Sequence, residues 1–117
     1  MNTPSRRQNK VAEEIAHQAG EFLARTIKAG GALVTVTRAE IAPDLKKTDI
    51  FVSILPEAKG EEMMKSLKRL RTDFHDYLKN KTALRNVPTV DFVFDLGEVN
   101  RQRIDALTRK PRQIEEA

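Results

Sequence analysis

Ala42-Pro43-Asp44-Leu45-Lys46-Lys47-Thr48-Asp49-Ile50-Phe51-Val52-Ser53-Ile54 is a prolyl turn that carries two lysines and runs directly into a strand. Ile50, Val52 and Ile54 recur at every second position, the period of a chain with one face in a core. Upstream, residues 33–41 alternate in the same way and are rich in β-branched side chains. The two runs, 33–41 and 49–55, therefore read as an antiparallel hairpin with Ala42, Pro43, Asp44 and Leu45 in its loop. Lys46 and Lys47 place fixed positive charge at the mouth of the sheet.

Outward from the hairpin, Ser5-Arg6-Arg7-Gln8 has the form of a capping box, a serine followed three residues later by a glutamine. Val11, Ile15, Ala19, Phe22, Leu23 and Ile27 then recur at helical spacing, predicting a long amphipathic helix that ends at Gly30-Gly31. On the other side, Pro56 closes the second strand, and Glu57, Glu61 and Glu62 stand where a helix N-terminus favours negative charge. Met63, Leu67, Leu70, Phe74, Tyr77 and Leu78 form the buried stripe of a second helical region. Thr72-Asp73 inside it are weak helix formers and good caps, and predict a kink or restart. Lys79-Asn80-Lys81-Thr82 ends that region. Pro88 opens a third strand with Val90, Phe92 and Phe94 facing in and Asp91 and Asp95 facing out, and Asp95-Leu96-Gly97 stops it. Residues 98–107 are a short helical candidate, and 108–117 are expected to be a polar, flexible tail. The expectation is one α+β domain over residues 1–107, of order α-β-β-α(kink)α-β, with a flexible N-terminus at 1–5 and helices on one face of a three-stranded sheet.

A chain of 117 residues has room for a single core that buries about two-thirds of its unfolded surface. Net charge is +4 and the sequence pI is about 9.6, which favours polyanionic partners. No apolar run is long enough to span a bilayer, and the N-terminal residues lack the apolar segment of a secretory signal, so a soluble, cytoplasmic protein with no membrane contact is expected. The absence of cysteine excludes thiolate catalysis, disulfides and cysteine-held metal clusters. With no tryptophan, one tyrosine and five phenylalanines, an aromatic platform for stacking bases is poorly supplied, so any binding of nucleic acid must lean on charge and shape.

The basic residues are unevenly spread. Arg6, Arg7 and Lys10 crowd the start of the first helix with no acid before Glu13, where cations oppose the helix dipole and an external anion would compensate. A solvated, mildly unfavourable terminus is the plain alternative. Lys65, Lys68, Arg69 and Arg71 recur along the second helical region, where positions 65, 68, 69 and 72 share a face away from its apolar stripe, and Lys79, Lys81 and Arg85 follow toward the third strand. An RNA backbone could lie along such a ridge, and so could nothing but water. Glu13, Glu14, His17 and Glu21 contain the Glu-x-x-His spacing of di-iron bundles, but a second copy is lacking and a solvated acidic face is the better account. There is no nucleophile elbow, P-loop or dinucleotide fingerprint. The chain reads as a non-enzyme with no cofactor and no metal.

Three blocks carry a resemblance. Ala42-Pro43-Asp44-Leu45-Lys46-Lys47 with Ile50-Phe51-Val52-Ser53, then Val87-Pro88 to Phe94-Asp95, then Arg103-Ile104-Asp105-Ala106-Leu107, together with Arg7, Val11-Ala12 and Ile15, make the chain resemble the ribosome-binding factor A family. That family has a type II KH-like fold, and the resemblance implies a monomeric, non-catalytic factor. Such a factor binds the free or immature small ribosomal subunit and assists maturation and end processing of its rRNA. The resemblance and the charge map together point to RNA contacts at Arg6, Arg7, Lys10, Lys46, Lys47, Lys79, Lys81 and Arg85, with Arg69 and Arg71 behind them. One departure stands out: the family's Ala-x-Gly kink falls at Leu70-Arg71-Thr72, which has neither alanine nor glycine. A KH-like module for some other RNA, or a domain whose basic face meets an acidic protein, would share the charge and remain open at this point.

Overall fold

The computed structural model describes residues 5–27 and 31–97. Its elements are α1 (Arg6–Thr26), β1 (Leu33–Ile41), β2 (Lys47–Leu55), a single 3-10 turn (Glu57–Lys59), α2 (Gly60–Arg69), α3 (Arg71–Lys81) and β3 (Thr89–Phe94). The sheet order is β1-β2-β3, with β1 antiparallel to β2 and β2 parallel to β3. A parallel pair needs a long crossover, and α2 and α3 supply it. This is the α+β, type II KH-like arrangement that the sequence predicts.

Ile50, Val52 and Ile54 of β2 and Val90 and Phe92 of β3 face the helices and are buried with Ile15, Ala19, Phe22, Leu67, Phe74 and Leu78. Tilted ring pairs run from Phe22 to Phe74 at 5.2 Å and from Phe74 to Phe92 at 5.9 Å, so aromatic contact links α1, α3 and the sheet. The other sheet face carries a polar cluster. The register of β1 against β2 shifts between Val36 and Arg38, leaving Thr37 as the extra residue of a bulge. Thr37 Oγ1 donates to Asp95 Oδ2 at 2.5 Å, and Arg38 Nε lies 3.6 Å from the same oxygen. The Arg38 guanidinium also stands 3.8 Å from the centre of the Phe51 ring.

Several expectations shift. The first helix ends at Thr26, with Ile27 as its C-cap, before the predicted Gly30-Gly31, of which Gly30 lies outside the described residues. Lys47 is the first residue of β2 and not part of the turn. Asp95 does not face solvent: it is 4% exposed, because Thr37 and Arg38 on the bulged strand reach it across the sheet. The helical region breaks at Leu70 and not at Thr72-Asp73. Leu70 N–H bonds back to Leu67 O in a tight last turn, while Leu70 O accepts from Phe74 to start α3. Its φ of −87° and ψ of 0° are open to any L-residue, so the break needs neither the glycine nor the alanine of the family's kink. The helical candidate at 98–107, with its Arg103-Ile104-Asp105-Ala106-Leu107 block, the tail at 108–117 and most of the N-terminal segment at 1–5 lie outside the described residues.

Candidate nucleic-acid interface

Three chain segments meet at one end of the molecule. The capping box of α1 forms as its sequence predicts: Ser5 Oγ accepts from Gln8 N–H at 3.1 Å and Gln8 Oε1 accepts from Ser5 N–H at 2.9 Å. Gln8 does more, because its Nε2 donates to Ile41 O at 3.3 Å and so fastens the helix start to the end of β1. The loop that follows β1 is closed by Ala42 N–H to Lys47 O and Leu45 N–H to Ala42 O, with the Asp44 carboxylate accepting from Lys46 N–H at 3.0 Å. Thr89 N–H then donates to Lys46 O at 2.9 Å, tying that loop to the start of β3. The third segment, after α3, is pinned by Thr82 Oγ1 donating to Leu78 O at 2.7 Å and by a 3.3 Å contact between His75 Nε2 and Val87 O.

Between these segments lies a cleft of about 530 Å³, walled by Arg7 and Val11, by Asp44, Leu45 and Lys46, and by residues 83–86 with Pro88. A second hollow of about 440 Å³ shares Arg7, Val11, Ala83 and Leu84 and adds Lys10, Glu14, Lys81 and Thr82. Arg7, Lys10, Lys46, Lys81 and Arg85 thus line one trough against two carboxylates, Asp44 and Glu14. The first turn of α1 holds no acid, so the positive helix end adds its partial charge to theirs. Lys81 is steered by the Tyr77 ring, 5.8 Å from its ammonium, and stands with Lys79 in the last turn of α3, where cations are favourable.

The remaining predicted contacts are placed elsewhere. Arg6 and Lys79 are exposed on their helices and line neither hollow. Lys47 pairs with Thr89 across the sheet, and since its neighbour Thr48 points into the core, the Lys47 side chain leaves on the face away from the helices. Arg69 and Arg71 sit at the α2–α3 break. Arg71 donates through Nε to Lys68 O at 2.9 Å and its Nη1 lies 3.4 Å from Asp91 Oδ1, the same oxygen that Lys68 Nζ meets at 2.6 Å. The cationic ridge of the second helical region is therefore partly neutralised by β3. Burial pushes the Asp91 carboxyl up, but the Lys68 hydrogen bond and charge, the Phe92 N–H and the Arg71 charge together hold it below the usual aspartate value. On the acidic face of α1, His17 and Glu21 are 3.6 Å apart and exposed, and among the described residues no three potential metal ligands converge.

The whole constellation, from Arg7 through the lysine-bearing hairpin to β3, falls inside a match to the ribosome-binding factor A family over residues 7–108. The chain belongs to the ribosome-binding factor A family. A ribosome-binding factor A from an Anaeromyxobacter species is 34% identical over 116 residues, covering 97% of this chain and 94% of the relative. One from Coxiella burnetii is 31% identical over 107 residues, covering 91% and 90%. The fold agrees with a solution structure of a Thermotoga maritima protein described as a putative ribosome binding factor A, with a TM-score of 0.65, 23% identity and coverage of 80% of this chain and 91% of that one. The crystal structure of ribosome-binding factor A from Thermus thermophilus gives 0.62, 17%, 74% and 93%. Membership was legible in the three sequence blocks. What they did not disclose is the tether of Gln8 and the apolar floor that Val11, Leu45, Leu84 and Pro88 give the trough; an apolar leucine in the short segment 82–86 after α3 was the available signal.

Proposed function

We propose that this member of the ribosome-binding factor A family binds the free or immature small ribosomal subunit through its cationic end. It holds rRNA phosphates there while that RNA matures and its ends are processed, and then leaves. Binding energy does the work, with no bond made or broken by the chain, and the factor acts as a cytoplasmic monomer. The observation that carries this reading is the convergence of Arg7, Lys10, Lys46, Lys81 and Arg85 from three separate segments into one trough. Guanidinium and ammonium groups at that density fit a phosphate chain, which positions a protein without reading base identity. A ribosome binding factor A from Thermus thermophilus has been fitted, as a homology model, into a cryo-EM map of its 30S complex; that fold matches this one with a TM-score of 0.55 at 19% identity, covering 68% of this chain and 89% of that one.

The test is sedimentation of the tagged protein with separated small subunits, large subunits and whole ribosomes at moderate salt. Migration with free small subunits alone is the expected result. Even spread over all particles, or migration only with free RNA, would make the chain a general RNA-binding module. Failure to migrate with any RNA would leave an acidic protein as the partner of the basic end.

A further inference from the structure

A surface that holds only the backbone of a double helix meets phosphates on the outside of a cylinder and has no use for an apolar floor. The trough here has an apolar floor: its lining residues Val11, Leu45, Leu84 and Pro88 are more buried than Arg7, Asp44, Lys46 and Arg85 around them. A volume of about 530 Å³ belongs with sites for a small ligand, whereas a duplex backbone would leave the floor empty of any partner. Leu45 supplies a second, independent sign. Its φ is +61°, a left-handed conformation that is unfavourable for a branched L-residue, yet the loop's own hydrogen bonds hold it there and Leu45 lines the cleft. A glycine would meet the backbone requirement and supply no wall.

We propose that the cleft takes one unpaired nucleotide of the RNA that the cationic end holds. Its base lies on the floor made by Val11, Leu84 and Pro88, and its flanking phosphates lie against Arg7, Lys46 and Arg85. The Arg7 guanidinium, common to both hollows, offers a flat cation for the base to stack on in a site without aromatic rings, and the Asn86 carboxamide on the rim offers a donor and an acceptor to a base edge. The cleft lies beyond the C-terminal end of α3, at the far end of that helix from the Leu70 break, so the missing kink glycine does not bear on it. This inference rests on the RNA-binding reading of the same end.

The experiment measures binding of the full chain to a 12-nucleotide single-stranded RNA and to a blunt duplex of the same sequence, for the unmodified protein, Ala83→Leu and Arg85→Glu. Ala83 is exposed, lines both hollows and carries no charge, so a leucine there fills the cleft while the rim cations remain. The expected result is single-strand binding at least 10-fold tighter than duplex binding, lost by 5-fold or more in Ala83→Leu, with duplex binding unchanged. Equal affinity for the two RNAs, or indifference of single-strand binding to Ala83→Leu, overturns the nucleotide site. If Arg85→Glu still weakens both RNAs in that case, the phosphate-contact reading survives. No binding to either RNA overturns the nucleotide site, and the small-subunit reading then stands or falls with the sedimentation test. Circular dichroism of each variant confirms that the fold is intact.

Discussion

Lys46 and Lys47 are neighbours in sequence and strangers in space. Lys46 lines the cleft with its carbonyl fixed by Thr89, whereas Lys47 begins β2 and leaves on the open face of the sheet. Charge reversal separates them: Lys46→Glu should weaken RNA binding by roughly 10-fold through loss of one phosphate contact and addition of one repulsion, while Lys47→Glu changes it by about 2-fold or less. Equal losses in a filter-binding titration would mean that the RNA wraps the sheet face as well. The turn and its two charges were plain in the sequence, but the strand's period-2 alternation had to be extended two residues upstream to tell them apart. Gly60 is a second residue whose role only the fold discloses. A Cβ on it would stand 2.5 Å from Phe94 Cζ, so Gly60→Ala must swing the phenylalanine ring out of place. A cost of about 1–3 kcal/mol is expected, lowering the thermal midpoint by several degrees in a melt followed by circular dichroism.

At the scale of elements, α1, β2 and β3 were legible because each carries an uninterrupted period, β1 because its alternation resumes past the Thr37 bulge, and Ser5-Arg6-Arg7-Gln8 caps α1 as its spacing requires. The break between α2 and α3 was less so. Thr72 and Asp73 have the better propensity for a restart, yet tertiary contact decides the matter at Leu70. Lys68 on one side of the break and Arg71 on the other both reach Asp91 on β3, so one carboxylate fastens two helices to the edge of the sheet. Asp91→Asn should release that clamp at a cost of about 0.5–1 kcal/mol near neutral pH. The pH dependence has a defined sign. The folded Asp91 carboxyl lies below its unfolded value, so its contribution is fully present above about pH 4 and is lost as pH falls through the folded value. In denaturant titrations between pH 2 and 5 the unmodified protein should therefore lose stability more steeply than Asp91→Asn, and parallel curves would show that the clamp contributes nothing.

For the molecule as a whole, the distribution of charge matters more than its sum. A net +4 in 117 residues is modest, and Lys68 and Arg71 are partly neutralised by Asp91 while Arg38 is engaged by Glu40 and Asp95. The convergence of five other cations on one trough could not be read along the chain, because it depends on Gln8, Thr89 and His75 tying three distant segments together. It has a measurable consequence. Each phosphate engaged by one of these cations releases a condensed counterion, so log affinity falls linearly with log salt by about 0.7 per contact for a single strand and about 0.9 for a duplex. Engagement of all five predicts a slope of roughly −3.5 to −4.5, and a loss of about 100- to 500-fold in affinity between 50 and 200 mM salt. Lys46→Glu with Arg85→Glu removes two of the five and should bring the slope to about −2 to −3. Reversal of Lys65 and Arg69 on α2, outside the trough, should leave it within about half a unit of the unmodified value. A slope that moves as much for the α2 pair as for the trough pair would show a diffuse electrostatic contact spread over the surface, and would return the trough to the role of an ordinary solvated surface feature.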